Sequence, residues 1–160
     1  ETISFKSDGT RVFFKFSNVE ILTRVIELQF PDYKSILKSA QHDKKILLNT
    51  KDFLSVLKRT LIFVRDNKDS KNGGIFSFEN NKLILTGISE NAKIKEELAT
   101  IQEGENLKIS LNVKFLVDYI SIIGGKVTEL KLLNSKSSVV VKDEADDKSV
   151  YFTMPLALRE

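Results

Sequence analysis

A short stretch of sequence recurs later in the chain, and this repeat constrains the fold more than any other feature. Leu48-Asn49-Thr50-Lys51 aligns with Leu111-Asn112-Val113-Lys114, an offset of 63 residues (111 − 48). In both copies the shared text joins a short apolar run to apolar residues spaced three and four apart, which predicts a strand followed by a helix. Three further strand patterns follow each helix. A fixed-period repeat of this kind indicates one strand–helix–three-strand unit used twice.

The two units are predicted to cover 46–101 and 106–160. Asn49 or Thr50 caps a first helix that runs to about residue 66, and Asn112 caps a second helix over 113–123. Asn80-Asn81 is typical of a tight hairpin between two strands. The predicted strands lie at 46–48, 75–79, 83–89, 93–101, 107–111, 127–133, 138–142 and 149–154.

The opening segment has the pattern of the last three strands of such a unit. Strands are predicted at 2–6, 11–16 and 19–30, with Asp8-Gly9 as the first turn. We therefore predict an α+β chain in three parts: terminal strands of a truncated neighbouring domain at 1–30, a linker at 31–45, and a complete two-unit domain at 46–160. Because a natural gene product would rarely begin within a unit, we expect a piece of a longer protein.

Composition excludes several classes of chemistry. The 160 residues include no cysteine and one histidine, His42, which excludes thiol nucleophiles and zinc sites that need two imidazoles. No run approaches the roughly 18–20 apolar residues of a membrane span, and no phosphate-binding or dinucleotide-binding glycine motif is present. We expect a cytoplasmic, non-enzymatic protein without cofactor or metal, with His42 solvated in the linker.

One acidic run leaves an enzymatic alternative open. Asp143-Glu144-Ala145-Asp146-Asp147 offers hard oxygen ligands, but it lacks the DxDxDG spacing and imposed turn of a cation loop. A solvated hairpin between two strands is the simpler interpretation. An enzyme remains possible only if this loop binds a metal.

The charge is polarised although the net formal charge is only +3. Lys51, Lys58 and Arg59 are predicted to lie opposite the apolar face of the first helix, where they are either an ordinary solvated face or a DNA contact. Ile62 and Phe63 are adjacent, so both cannot face the core of the same helix. An apolar tail follows the last strand. The residues alone leave the roles of these features open.

Three motifs together resemble the bacterial DNA polymerase III beta subunit, the sliding clamp family. They are Phe30-Pro31-Asp32-Tyr33, Asn112-Val113-Lys114-Phe115-Leu116-Val117-Asp118, and Tyr151-Phe152-Thr153-Met154-Pro155-Leu156. The resemblance implies the DNA-clamp fold and a homodimeric ring of three domains per protomer, whose helices line a hole for duplex DNA. Such a clamp is the non-catalytic processivity factor of bacterial DNA replication, and it tethers the replicative polymerase.

The same resemblance implies roles for individual residues. Lys51, Lys58 and Arg59 would face DNA, and Ile62, Phe63 and Glu96 would form the contact between protomers. Short peptides of the polymerase, the clamp loader and repair proteins would bind a groove whose matching residues are Pro31, Ser35, Ile36, Phe152, Met154, Pro155, Leu156 and Leu158. The alternative from another class is a non-DNA protein-interaction adaptor with a duplicated α+β fold.

Overall fold

The computed structural model describes residues 2–35, 41–66, 71–146 and 148–157. The chain divides into two compact units, residues 1–37 and 38–160. Within the described ranges, no helix has both the length and the apolar character needed to cross a membrane. Ile36 and Leu158, two of the predicted groove residues, lie outside these ranges.

The first unit contains a three-stranded antiparallel sheet of β1 (Ser4–Ser7), β2 (Arg11–Phe16) and β3 (Val19–Arg24). The Asp8-Gly9 turn is confirmed: the Asp8 carboxylate accepts hydrogen bonds from the Thr10 and Arg11 backbone N–H groups. The third strand is shorter than the predicted 19–30. It ends at Arg24 because its partner strand begins at Arg11, which pairs with Arg24.

The second unit packs two helices against two antiparallel sheets, and it confirms the predicted alternation of elements. The sheets have the strand orders β12-β11-β10-β4-β8 and β7-β6-β5-β9. The elements are β4 (Lys44–Asn49), α1 (Thr50–Val64), β5 (Gly73–Glu79), β6 (Lys82–Ile88), β7 (Lys93–Ala99), β8 (Ile101–Glu103), β9 (Leu107–Asn112), α2 (Val113–Ile120), β10 (Val127–Leu132), β11 (Val139–Asp143) and β12 (Val150–Thr153).

The two repeats exchange their first strands. β4 opens the first repeat but pairs with β10 of the second, whereas β9 opens the second repeat but pairs with β5 of the first. The helix starts repeat this symmetry, because the Thr50 N–H donates to the Lys126 carbonyl (2.9 Å) and the Val113 N–H donates to the Asn72 carbonyl (2.8 Å). Each repeat therefore completes the sheet of the other.

The hydrophobic core lies between the helices and the sheets. α1 buries residues at three- and four-residue spacing, and the strands bury alternate residues, as the two periodicities require. Asn49 and Asn112 are the N-caps, and their side-chain oxygens accept from the Asp52 and Phe115 N–H groups. The largest fully buried side chains are Phe53, Phe76, Phe78, Ile46, Leu48, Leu57, Leu83, Leu85, Ile109, Leu111, Leu116 and Ile120.

Several predicted boundaries were wrong by a few residues. The strand predicted at 93–101 breaks at Thr100, because β7 pairs with β6 whereas β8 pairs with β4 in the other sheet. The helices end at Val64 and Ile120 instead of at 66 and 123. β4 begins at Lys44, which pairs with Leu132, two residues before the strand start predicted at Ile46.

Two side chains that were predicted to be solvated are partly or wholly buried. His42 is half-buried, since the backbone N–H of the next residue, Asp43, donates to the Leu132 carbonyl and holds the loop against β10. Burial lowers the pKa of His42. Asp143 is 7% exposed and lies against Gly125. Among the described side chains, no group of three or more potential metal ligands occurs.

Candidate nucleic-acid interface

The outward face of α1 carries two lysines. Lys51, Ser55, Lys58 and Ile62 follow one another at three- and four-residue spacing, and all four are exposed. At a rise of about 1.5 Å per residue, Lys51 and Lys58 lie roughly 10 Å apart along the helix. No carboxylate of the described residues lies within ion-pair distance of either lysine. This face therefore presents two uncompensated positive charges.

Arg59, the third residue predicted to face DNA, is turned toward β7. Its Nε and Nη2 atoms donate to the two carboxylate oxygens of Glu96 at 2.7 and 2.9 Å, and Nη1 donates to the Ser55 hydroxyl at 2.8 Å. The hydrogen bonds from Arg59 lower the pKa of Glu96. The structure thus pairs two residues that the resemblance assigned to different surfaces. The guanidinium of Arg59 is therefore less available to an external partner.

Ile62 and Phe63 lie at the C-terminal end of α1, beside the β6–β7 hairpin. Ile62 is 72% exposed, and Phe63 is half-buried. Phe63 follows Arg59 by one helical turn, so the two lie on the same side of α1. Together with the hairpin residues Ser89, Glu90 and Asn91, the apolar pair lines an open cavity of about 370 Å³. The apolar pair and Glu96 therefore border the same α1–β7 edge.

A third lysine, Lys126, was missed by the sequence analysis. It is exposed and belongs to the segment between α2 and β10, whose backbone accepts the hydrogen bond from Thr50 at the start of α1. Lys51 and Lys126 both line a groove of about 460 Å³ between the first turn of α1 and the end of α2. The repeat was the only sequence signal that could have placed this segment beside α1.

The second helix adds little positive charge to this layer. Its one basic side chain, Lys114, forms an ion pair with Asp118 one turn later. Phe115 is half exposed between them. The uncompensated lysines of the helix layer therefore come from α1 and from the segment after α2.

The tail after β12 is partly docked on the second unit. The Leu156 N–H donates to the Ser110 carbonyl at 2.8 Å, which carries the tail to the edge of β9. Phe152, Pro155 and Leu156 are half-buried, whereas Met154 is exposed. The remaining described groove residues, Pro31 and Ser35, are exposed in the first unit.

Comparisons with known proteins identify relatives of the whole chain. Residues 34–157 match the family model described as DNA polymerase III beta subunit, C-terminal domain. The beta sliding clamp of Staphylococcus epidermidis is 26% identical over 159 residues, which is 98% of this chain and 41% of that protein. The beta sliding clamp of Streptomyces coelicolor is 29% identical, over 85% of this chain and 37% of that protein.

Solved structures agree on the fold. The DNA polymerase III beta subunit of Thermotoga maritima has a TM-score of 0.80 at 26% identity, and it is matched over 98% of this chain and 42% of its own. A DNA polymerase sliding clamp of Pseudomonas aeruginosa, solved with a ligand, has a TM-score of 0.83 at 24% identity, again over 98% and 42%. The chain spans about two fifths of the length of these relatives. By its family model and its clamp fold, the chain belongs to the DNA polymerase III beta subunit family.

Proposed function

We propose that this chain forms part of a sliding clamp, a homodimeric ring that encircles duplex DNA and acts as a processivity factor in bacterial replication. Family membership supports this proposal, and the observation that carries it is the helix layer with its uncompensated lysines. In this proposal residues 1–30 are terminal strands of a middle domain and residues 46–160 are a C-terminal domain. The role is non-catalytic and cytoplasmic.

The chemistry of the helix layer suits a protein that slides. Lysine contacts to phosphates position a protein on DNA without reading the bases, and they weaken as salt competes for the phosphates. Lys51 and Lys58 would make such contacts, with Lys126 at the adjacent groove. Arg59 would contribute less than these lysines, because Glu96 and Ser55 already occupy its guanidinium.

The contact between protomers would use the α1–β7 edge. Ile62 offers a large exposed apolar side chain, and Phe63 and Glu96 lie along the same edge. An exposed apolar side chain gains free energy when a partner surface removes it from water. We infer that these three residues meet the opposite protomer, with Glu96 held in place by Arg59.

The peptide groove would involve Pro31, Ser35, Ile36 and the tail residues Phe152, Met154, Pro155, Leu156 and Leu158. The exposed Met154 and the half-buried Pro155 and Leu156 offer an apolar surface that suits short apolar-anchored peptides. A DnaN sliding clamp of Pseudomonas aeruginosa has been solved bound to griselimycin, so a relative binds that molecule. Polymerase, clamp loader and repair proteins would bind here through short motifs.

A loading assay tests the proposal. The full-length protein that contains this chain, incubated with a clamp loader and ATP, should be retained on circular primed DNA and released when the circle is linearised. Failure of retention on closed circles, or equal retention after linearisation, would contradict a topological clamp. It would favour the adaptor without DNA binding, which should instead capture partner peptides independently of DNA.

A further inference from the structure

The three-stranded sheet of the first unit has two faces of different character. One face is apolar and carries Phe5, Phe14 and Ile21 side by side on the three strands. The opposite face has Phe13 between Lys6 of β1 and Leu22 of β3. Arg11 and Arg24 lie two residues along the strands on that same face. We call this second face the basic face.

Among its strand residues the basic face carries four cations, Lys6, Arg11, Lys15 and Arg24, and one carboxylate, Glu20. Arg11 is paired directly with Arg24 across β2 and β3, and like charges in that position destabilise an antiparallel pair. Glu20 is engaged by Lys15 at 2.8 Å, and Asp8 accepts hydrogen bonds from its own turn. Among the carboxylates of residues 2–35, none lies within ion-pair distance of Lys6, Arg11 or Arg24. A bound anion would relieve this repulsion.

The basic face also exposes an aromatic ring. Phe13 is 39% exposed and Leu22 is 57% exposed, although they lie on the polar side of the sheet. An open concavity of about 820 Å³ is lined by residues of both faces, including Lys6, Phe13 and Leu22 of the basic face and the carboxylates of Asp8 and Glu20. Neighbouring strands lie about 4.8 Å apart, and same-face residues along a strand lie roughly 7 Å apart. Lys6 therefore lies one strand away from Phe13, Arg11 lies two residues along the same strand, and Arg24 lies diagonally across from Phe13 on β3.

We propose that the basic face binds single-stranded nucleic acid. Lys6, Arg11 and Arg24 take the phosphates, and an unpaired base stacks on Phe13. Positive side chains around an exposed aromatic ring are the combination that single-stranded nucleic-acid sites use. A duplex keeps its bases stacked internally, so it has no unpaired base to stack on Phe13. An acidic peptide would contact the cations but would have no base to stack on the ring. This site is separate in sequence from the lysines of α1 and does not depend on the proposed ring.

Binding of a fluorescein-labelled oligothymidylate to the full 160-residue chain, followed by fluorescence anisotropy at several salt concentrations, tests the charges. The double variant Arg11→Gln/Arg24→Gln should bind more weakly, and its salt slope should fall by about 1.4, since each single-strand phosphate contact contributes about 0.7. The matched control Lys82→Gln/Lys136→Gln removes the same charge from two exposed positions of the second unit and should leave this slope unchanged. Equal losses in both variants, or none in the arginine variant, would overturn the proposal.

The variant Phe13→Leu tests the stacking. Leucine keeps an apolar side chain on the sheet but has no aromatic face, so affinity should fall roughly ten-fold while the salt slope stays the same. Wild-type affinity in a variant whose circular dichroism is unchanged would overturn the stacking. If polyglutamate displaces the oligonucleotide at equal charge concentration, the basic face recognises negative charge alone and binds an acidic partner, which would overturn the proposal. If Phe13→Leu does not fold, the double variant Arg11→Gln/Arg24→Gln tests the proposal, because removing two like charges should not destabilise the sheet.

Discussion

Arg59 illustrates what a helical pattern can and cannot predict about a single side chain. The spacing of the apolar residues correctly placed Arg59 outside the core of α1, together with Lys51 and Lys58. It could not show that Arg59 is rotated toward β7, because its partner Glu96 is 37 residues away in sequence. Ion pairs between distant elements depend on how the elements pack, so they are found only once the sheet order is known.

The Arg59–Glu96 pair predicts a pH dependence of stability. Because the folded-state pKa of Glu96 is lowered below its ordinary value of 4.5, the stabilisation is complete above that pH and is lost as the pH falls through the lowered pKa. Glu96→Gln should therefore lose less unfolding free energy than the wild type between pH 6 and pH 3 (about three units), measured by urea denaturation.

Glu97→Gln is the control for this variant, since Glu97 is the adjacent acid of the same strand and points to the opposite face. Its unfolding free energy should fall between about pH 6 and pH 3 as that of the wild type does. If the unfolding free energy of Glu96→Gln falls over this pH range as much as that of the wild type, the Arg59–Glu96 pair contributes nothing to the stability of the folded state.

At the scale of elements, the packing of α1 on the second sheet depends on a close approach at Gly87. A Cβ atom built at Gly87 would lie 2.8–2.9 Å from side-chain atoms of Val64, Ile94 and Thr60. These neighbours belong to α1 and β7, so no single side chain can move to make room. Gly87→Ala should destabilise the chain by about 1–3 kcal/mol, the usual cost of overpacking.

Thermal and urea unfolding of Gly87→Ala measures this cost, and Gly124→Ala is the matched control. A Cβ atom at Gly124 would have no neighbour within 4 Å. Gly124→Ala should therefore leave the unfolding free energy nearly unchanged. Equal stability of the two variants would show that α1 and β6 can separate without cost.

The elements themselves were largely predictable, because strand and helix periodicities and cap residues act over short distances. Asn112 caps α2 as predicted, and Asn49, one of the two predicted candidates, caps α1. Asn80 and Asn81 adopt the positive φ angles of a tight hairpin. The break at Thr100 was not predictable. The alternation continues through 93–101, and the chain changes sheets because Asn81 accepts the backbone N–H groups of Thr100 and Gln102.

At the scale of the whole molecule, the modest net charge hides an uneven distribution. The formal charge of +3 includes the lysines of α1, the basic face of the first unit, and acidic residues near β7 and β8. A clamp retained on DNA by its closed shape needs no strong attraction, so a low net charge is compatible with the proposed function. The lysine contacts to DNA phosphates should weaken as the salt concentration rises.

Duplex binding by the full chain should therefore depend more on Lys51 and Lys58 than on exposed lysines elsewhere. Lys51→Gln/Lys58→Gln should lower the slope of log K against log salt by roughly 1.8, since each duplex phosphate contact contributes about 0.9. Fluorescence anisotropy with a labelled duplex measures the slope. Lys82→Gln/Lys136→Gln removes two exposed lysines from strand and turn positions and should have a smaller effect. Equal slopes for the two double variants would argue against a DNA-facing α1.

The exchange of first strands between the repeats constrains the order in which the second unit can assemble during synthesis. When the first repeat has left the ribosome, β4 lacks its central neighbour β10, and β5 has an unpaired edge that only β9 can cover. Neither sheet can close until residues from the second repeat have emerged. The nascent first repeat therefore exposes β-sheet edges for the time needed to translate about half of the unit, and such edges are sites of mispairing between chains.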